Sequence, residues 1–228
     1  MPVLSKPVRT RIKICGLSRE SELEAAVLAG ADAVGFVMYD KSPRHVSLDR
    51  AAELAALLPP FVTPTLLFVN APADDIARAC DRIPNALLQF HGDETREQCD
   101  AAGRPYLRAA RMAENFDLLD FALRFSGGGS RARSGAQALL LDAYMQGYGG
   151  GGKVFDWSLI PPGVSLPVVL SGGLTPENVI DGITQVRPWA VDVSSGVEQS
   201  KGVKDVRLIH RFCDAVREAD ARLASPDV

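Results

Sequence analysis

Short apolar runs alternate with longer segments of helical periodicity along the whole chain. Eight runs rich in β-branched and aliphatic residues are candidate strands, at 11–15, 32–38, 65–69, 86–90, 106–110, 138–142, 167–171 and 189–194. Segments with apolar residues at helical spacing separate them, at 18–30, 47–58, 72–83, 93–103, 115–125 and 175–186. This alternation is typical of parallel strands joined by helices.

The number of predicted strands favours a closed barrel. Eight strand–helix units in 228 residues, with no linker between them, predict an α/β fold that is one (β/α)8 TIM barrel spanning residues 1–228. An open doubly wound sheet is the alternative. Against it, the turn after the first strand reads CGLSRE and lacks the G-x-G-x-x-G fingerprint of dinucleotide-binding sheets.

Capping residues and glycines predict where helices begin and end. Helix starts are expected at Ser18, Ser47, Asp93 and Thr175, and left-handed C-caps at Gly30 and Gly103. Two glycine-rich segments interrupt the pattern. Residues 126–135 precede a strand, which predicts a flexible loop on the face away from catalysis, whereas 146–153 follow a strand, which predicts a mobile lid over the functional face.

Composition and charge exclude several classes of protein. Hydrophobic residues make up 46% of the chain and charged residues 23%, as in ordinary globular proteins. The net charge of −3, with both signs interspersed, predicts no nucleic-acid partner. No apolar run is as long as a membrane span, and the first residues lack the apolar segment of a secretory signal. We therefore expect a cytoplasmic protein with no membrane partner.

The cysteines and histidines do not form a metal-binding pattern. The four cysteines are scattered without a CxxC pair, so they are expected to be reduced thiols, and three of them lie in helical segments as small buried residues. His45 and His91 have no neighbouring acidic cluster, and His210 falls in the last helix. No metal site is predicted.

Polar residues follow nearly every predicted strand. Active sites of barrels form at the carboxyl ends of the strands, so a side chain at this point is a candidate functional group. Polar loop starts alone would partly produce the same pattern. The candidates are Cys15, the loop YDKSPRHVS, Asn70, His91, Arg111, Asp142, Ser171 with Gly172 and Gly173, and Ser194 with Ser195 and Gly196.

Alternation within the first strand points Lys13 and Cys15 into the barrel. Ile12 and Ile14 then face the outer helices. An unpaired interior ammonium would be costly, and Asp192 lies on the neighbouring eighth strand, so we predict an ion pair between Lys13 and Asp192. Lys13 would also favour the thiolate form of Cys15. The alternative for Cys15 is a packed small hydrophobic residue.

Asp142 is a candidate general acid. It shares the inward face of the sixth strand with Leu140, and an apolar environment favours the protonated form of a carboxyl group. The alternative is that Asp142 caps a helix or loop.

Two glycine motifs at adjacent strand exits indicate a phosphate site. LSGGLTPENV and DVSSGVEQSKG allow backbone N–H groups to approach an anion, and a helix start after Ser195 would add its positive end. Barrel enzymes often hold phosphate at this position. The alternative is two tight turns.

With these motifs assembled, the chain closely resembles the phosphoribosylanthranilate isomerases of tryptophan biosynthesis. The match runs from KICGLS through GADAVGFVMYDKSPRHVS, LLFVN, LLQFHGDE, LLLDAYMQGYGGGGKVFDWSLI and LSGGLTPENV to VDVSSGVEQSKGVKD, and so covers nearly the whole chain. The resemblance implies an Amadori rearrangement of an N-(5-phosphoribosyl) aminoaldose without a cofactor. It also implies that Cys15 is the general base and Asp142 the general acid.

Other phosphate-binding barrels would need a lysine acid and an extra N-terminal segment, or metal-binding histidines with paired aspartates, and neither set appears.

The resemblance also implies how the substrate is held. Arg44 of KSPRHVS would contact the anthranilate carboxylate, because a planar guanidinium matches that group with two hydrogen bonds. The other expected substrate-binding residues are His91, Arg111 and Lys13, and the expected phosphate-binding residues are Gly172, Gly173, Ser194, Ser195 and Gly196. The partner is a small-molecule substrate, phosphoribosyl anthranilate, and the protein would be a monomer or homodimer.

Two departures and two alternative functions remain open. The family's lid usually reads YGGTGK, whereas here Gly151 replaces the threonine, and Asp40 stands where the family often has proline. Lys13 could instead form a Schiff base, as in aldolases. A catalytically silent barrel that binds a phosphorylated ligand is the alternative outside enzymes.

Overall fold

Eight parallel strands close into a barrel in the order β1 to β8 in the computed structural model, which describes residues 9–127, 135–143 and 154–225. Closure comes from β8, which pairs in parallel with β1 and aligns Asp192 with Lys13. The predicted (β/α)8 barrel is confirmed. The strands are β1 Arg11–Cys15, β2 Ala33–Val37, β3 Thr63–Phe68, β4 Leu87–Phe90, β5 Tyr106–Met112, β6 Ala138–Ala143, β7 Val168–Leu170 and β8 Ala190–Val193.

Seven helices of the described residues accompany the strands. They are α1 Glu20–Leu28, α2 Leu48–Ala56, α3 Ala73–Arg82, α4 Arg96–Ala101, α5 Leu118–Phe125, α6 Val179–Val186 and α7 Val206–Ala224. Within the described ranges, none of these helices combines the length and apolarity needed to cross a membrane.

Helix ends follow the predicted glycines, but three of the four predicted starts are wrong. Gly30 and Gly103 adopt positive φ, and Ser47 caps α2 through its side chain. The caps of α1, α4 and α6 are instead Arg19, Thr95 and Asn178. The predicted capping residues are used locally: Ser18 N–H donates to Glu22, Asp93 N–H donates to Asn70, and the Thr175 hydroxyl accepts from Glu177 N–H.

Most of the two predicted glycine-rich loops lies outside the described residues. Of 126–135, the structure describes Ser126, Gly127 and Gly135, and the N–H of Gly135 donates to Asp100. The whole of the predicted lid, 146–153, including Gly151, lies outside the described residues. The flexible loop and the lid stay predictions.

Two apolar layers surround the strands and confirm the predicted alternation. Ile12 and Ile14 belong to the large core between strands and helices. A smaller cluster, which includes Leu107 and Leu140, fills the barrel interior. The barrel interior is thus packed with apolar side chains, and polar side chains lie at the carboxyl ends of the strands. The carboxyl ends are therefore the expected position of an active site.

A hairpin after β8 was not predicted. Strands β9 Glu198–Ser200 and β10 Val203–Lys204 pair antiparallel before α7 begins. The hairpin places Glu198 and Lys204 beside the carboxyl ends of β8 and β1, where both side chains are buried.

Candidate active site

A pocket opens at the carboxyl ends of the strands. Most of the predicted site residues line it, contributed by β1, β4, β6, the loop after β2, and the exits of β7 and β8. These residues are Cys15, Arg44, His91, Asp142, Gly172, Gly173, Ser194 and Ser195. The two groups predicted to act as base and acid therefore face one cavity.

The predicted ion pair beneath Cys15 is confirmed. Lys13 Nζ lies 2.6 Å from Asp192 Oδ1, both side chains are buried, and Ser171 Oγ donates to Asp192 Oδ2 at 3.0 Å. Burial lowers the pKa of Lys13, but Asp192 and Cys15 outweigh that effect, so the net pKa is raised and the ammonium is retained. A charged, paired lysine is a poor Schiff-base nucleophile. Lys13 is also absent from the residues that line the pocket, and its expected substrate contact stays a prediction.

The effect of Lys13 on Cys15 is smaller than the sequence suggested. Burial raises the pKa of the Cys15 thiol, and the nearby ammonium of Lys13 offsets only part of that effect. The net pKa lies above the ordinary value for cysteine. The expectation that Lys13 promotes the thiolate is therefore right in direction, but burial dominates and the thiol form prevails.

Gly35 of β2 leaves the space that Cys15 needs. A Cβ added at Gly35 would lie 2.7 Å from Cys15 Sγ and 3.2 Å from Lys13 Nζ. We expect Gly35→Ala to lower kcat/KM by about 10²-fold, because displacing a reacting group by about 1 Å costs that much. Steady-state kinetics measures the effect. Gly182→Ala in α6 is the control, because an added Cβ there would first meet the side chains of Leu170 and Trp157. Equal activity of the two variants would contradict the role of Gly35 in making room for Cys15.

Asp142 is held by His91, which is held in turn by Gln89. His91 Nε2 lies 3.0 Å from Asp142 Oδ2, and Gln89 Nε2 lies 3.0 Å from His91 Nδ1. The Nε2-protonated tautomer of His91 fits this geometry, because Nδ1 then accepts from the Gln89 amide and Nε2 donates to Asp142. Asp142 Oδ1 accepts from Ala143 N–H at 2.9 Å. Both carboxyl oxygens of Asp142 therefore lie within hydrogen-bond distance of a nitrogen atom.

His91 is thus found where the sequence predicted it, but its observed partner is Asp142. Gln89 was missed in the sequence, although alternation along LLQFH places it on the same inward face as His91. Its Oε1 atom is buried without a partner among the described residues.

The exits of β7 and β8 form a concave backbone surface. Gly172 and Gly173 both have positive φ, and a Cβ at Gly172 would lie 2.5 Å from the Ala143 nitrogen. A 3-10 turn, Ser195–Val197, starts directly after Ser194. Because glycine permits close backbone approach and a turn start exposes N–H groups, this surface suits an oxyanion.

Two further predicted residues lie away from the pocket wall. Gly196 packs against the Leu174 backbone, where an added Cβ would meet the carbonyl oxygen at 1.8 Å, so close packing explains this glycine. Arg111 has the inward parity of β5, but its guanidinium bonds Asp93 in the loop after β4 and lines a second cavity. The expected phosphate contact of Gly196 and the expected substrate contact of Arg111 stay predictions.

Arg44 lines the pocket and is paired with a residue that the sequence did not suggest. Its Nε and Nη2 atoms donate to the two carboxylate oxygens of Glu198 at 2.6 and 2.9 Å. Lys204 Nζ donates to Glu198 Oε1 at 2.9 Å and to the Ser194 carbonyl at 2.9 Å. In the sequence, the only signal for a functional role of Glu198 and Lys204 is that both follow the end of a predicted strand. Within the described residues, no group of three His, Cys, Asp or Glu side chains could hold a metal ion.

The fold and the pocket define a (β/α)8-barrel protein with a thiol and a carboxyl group at one site. The family model described as "N-(5'phosphoribosyl)anthranilate (PRA) isomerase" matches residues 12–215. The chain belongs to this family.

Individual relatives agree. The N-(5'-phosphoribosyl)anthranilate isomerase of Methylibium petroleiphilum is 66% identical over 97% of this chain and 100% of its own length. A phosphoribosyl anthranilate isomerase solved with reduced 1-(o-carboxyphenylamino)-1-deoxyribulose 5-phosphate is 35% identical, with a TM-score of 0.79 over 92% of this chain and 99% of its own. Monomers of the dimeric enzyme of Thermotoga maritima are 34% identical, with a TM-score of 0.78 and the same coverage.

Proposed function

We propose that the protein converts N-(5-phosphoribosyl)anthranilate into 1-(2-carboxyphenylamino)-1-deoxyribulose 5-phosphate, an Amadori rearrangement of tryptophan biosynthesis. The observation that carries the proposal is the placement of Cys15 and Asp142 on the wall of one pocket in a chain of this family. The reaction needs an acid and a base at one sugar, and no cofactor, because the imine formed on ring opening accepts the electrons.

Asp142 is the proposed general acid. It donates a proton to the ribofuranose ring oxygen as the bond from that oxygen to C1 breaks, and the nitrogen lone pair forms the C1–N double bond. His91 orients the carboxyl group through its Nε2–H. A general acid acts from its protonated form, so Asp142 must carry a proton when the ring opens.

Cys15 is the proposed general base. The thiolate takes the proton from C2, the C–H electron pair forms a C1–C2 double bond, and the C1–N pair returns to nitrogen. The resulting enolamine then tautomerises: the C1–C2 double-bond pair takes a proton at C1, and the C2 hydroxyl loses its proton to solvent as the ketone forms. Lys13 supports the thiolate electrostatically, whereas burial opposes it.

The acid–base pair needs Cys15 as a thiolate and Asp142 as a carboxylic acid in order to react. This competent state and the state with a Cys15 thiol and an Asp142 carboxylate hold the same number of protons and differ only in which group carries one proton.

The two ends of the substrate would be held by separate anion sites. Arg44 is proposed to bind the anthranilate carboxylate with its guanidinium. The backbone around Gly172, Gly173, Ser194 and Ser195 is proposed to bind the phosphate, supported by its concave shape and its position on the pocket wall.

A fluorescence assay with purified protein tests the function. Loss of phosphoribosyl anthranilate should follow saturation kinetics well above the spontaneous rate. The Asp142→Asn protein, prepared in parallel, controls for a contaminating enzyme. Decay no faster than in buffer would overturn the proposal.

The same proposal extends to a homodimer, as in the Thermotoga relative. Phe61, between α2 and β3, is 99% exposed with φ of 72°, a strained conformation for a bulky residue. Leu28 and Leu57 are exposed at the ends of α1 and α2, and the topology places all three at the amino-terminal end of the barrel. An apolar patch of this kind favours association with a second copy.

We expect Phe61→Asp to halve the particle mass, because a charge would replace an apolar contact at the proposed interface. Sedimentation velocity at several concentrations measures this. Leu123→Asp, at an exposed leucine on the side of the barrel in α5, is the matched control. A monomeric wild type, or a dimeric Phe61→Asp protein, would contradict the interface.

A cytoplasmic location is also proposed. All four cysteines are free thiols, as is usual in a reducing compartment.

A further inference from the structure

The Arg44 guanidinium is engaged on one of its two edges. Nε and Nη2 bind the two oxygens of Glu198, and the side chains of both residues are no more than 7% exposed. A guanidinium carries five N–H groups in a planar fork, so a carboxylate on the Nε–Nη2 edge leaves the Nη1–Nη2 edge unused. Among the described residues, Nη1 makes no hydrogen bond.

Glu198 is itself fixed from several sides. Lys204 Nζ donates to Oε1 at 2.9 Å, and Gly202 N–H donates to Oε2 at 3.2 Å. Lys204 is wholly buried, and its backbone N–H donates to Glu22 of α1. The hairpin of β9 and β10 therefore holds the Glu198 carboxylate rigidly, and a rigid carboxylate holds the plane of Arg44.

Arg44 and Lys204 contribute two positive charges, Glu198 and the buried Glu22 beside Lys204 two negative charges, and the neighbouring pair of Lys13 and Asp192 is neutral. The formal charges of this cluster therefore cancel, and a surplus of positive charge does not explain how it would attract an anion. Glu198 instead sets the direction from which Arg44 can receive one.

We infer that Glu198 is a positioning residue, which holds Arg44 by one edge of its guanidinium so that the other edge receives the aromatic carboxylate of the substrate. This inference rests on the proposed function, and it adds the residue that determines selectivity for a carboxylate on the ring. Lys204 connects the pair of Arg44 and Glu198 to the proposed phosphate site, because its ammonium also donates to the Ser194 carbonyl and hydroxyl oxygens.

Glu198→Gln separates positioning from simple charge. If Glu198 acted only as a counter-charge, removing it would strengthen carboxylate binding. Positioning predicts the opposite, because an amide offers one acceptor and one donor, and the donor faces a guanidinium N–H. We expect about tenfold weaker binding, since one charge-assisted bond of the pair is lost.

The experiment uses calorimetric binding of two ligands. One is the reduced product analogue, and the other is the same compound without the ring carboxylate. Glu198→Gln should weaken the first about tenfold and the second less than twofold, and in turnover KM should rise while kcat is nearly unchanged. Glu177→Gln, at an exposed glutamate paired with Arg211, is the matched control, and thermal unfolding shows that each variant is folded.

Arg44→Ala tests whether the effect of Glu198→Gln acts through Arg44. In that background Glu198→Gln should have no further effect on the carboxylate ligand, because the positioned group is gone. Equal weakening of both ligands, or tighter binding of the carboxylate, by Glu198→Gln overturns the inference. If Arg44→Ala has no carboxylate-dependent effect, the proposed role of Arg44 fails with it. These binding results do not depend on turnover, so they remain distinct from a failure of the activity assay.

Discussion

Asp142→Asn is expected to lower kcat by about 10²–10⁴-fold, the usual contribution of a general acid. An amide has nearly the same shape and cannot supply a proton to the ring oxygen. Binding of the reduced product analogue should change little, because the acid acts mainly in the transition state. Single-turnover fluorescence measures the chemical step directly.

A variant of Gln89, which contacts His91 next to Asp142, provides an intermediate comparison for the loss of kcat. Gln89→Leu removes the amide that holds His91, while Asp142 itself is retained. Its effect on kcat should be smaller than that of Asp142→Asn. If Asp142→Asn retained more than about a tenth of wild-type kcat, the acid would have to be another group.

Cys15→Ser should reduce kcat by a similar factor of about 10²–10⁴. A serine hydroxyl has nearly the same size, but it is a far weaker acid than a thiol and does not supply an anionic base at neutral pH. Rapid-quench measurement of product formation checks the loss. Cys80→Ser, at a cysteine of α3 that does not line the pocket, should behave like the wild type.

The pH dependence of the wild type distinguishes the role of the thiol further. Above the pKa of Cys15 the pair loses a proton that the competent state needs, so kcat/KM should be flat at neutral pH and then fall. Because burial raises that pKa above the ordinary value, the fall should occur on the alkaline side of an ordinary thiol titration. Cys15→Ser should lack this limb. A rise in kcat/KM through the same alkaline range would contradict the shared-proton scheme.

Much of the fold follows from local patterns. The eight strands were predictable because period-two alternation and short apolar runs are set by each strand's own two faces. The same alternation predicted the pairing of Lys13 with Asp192, since closing the barrel brings β8 beside β1. Helix starts were less predictable, because the Asp93 carboxylate pairs with Arg111 and the Thr175 hydroxyl accepts from Glu177 N–H, so these side-chain oxygens are used elsewhere.

The site was predictable where a residue's position in a strand fixes its direction. Cys15 and Asp142 are of this kind. Arg111 was not, because a long side chain at a strand end can reach a neighbouring loop, and Asp93 attracts it. The partnership of Arg44 and Glu198 spans 154 positions of sequence and depends on the hairpin after β8, so no local pattern contains it.

The enclosure of Cys15 has a consequence for chemical durability. Peroxides and alkylating reagents attack the ionised sulfur, and access and ionisation together set the rate. A sulfur atom that is covered, and neutral most of the time, offers such reagents little opportunity. We therefore expect the arrangement that makes this group a reluctant base also to slow its reaction with peroxide.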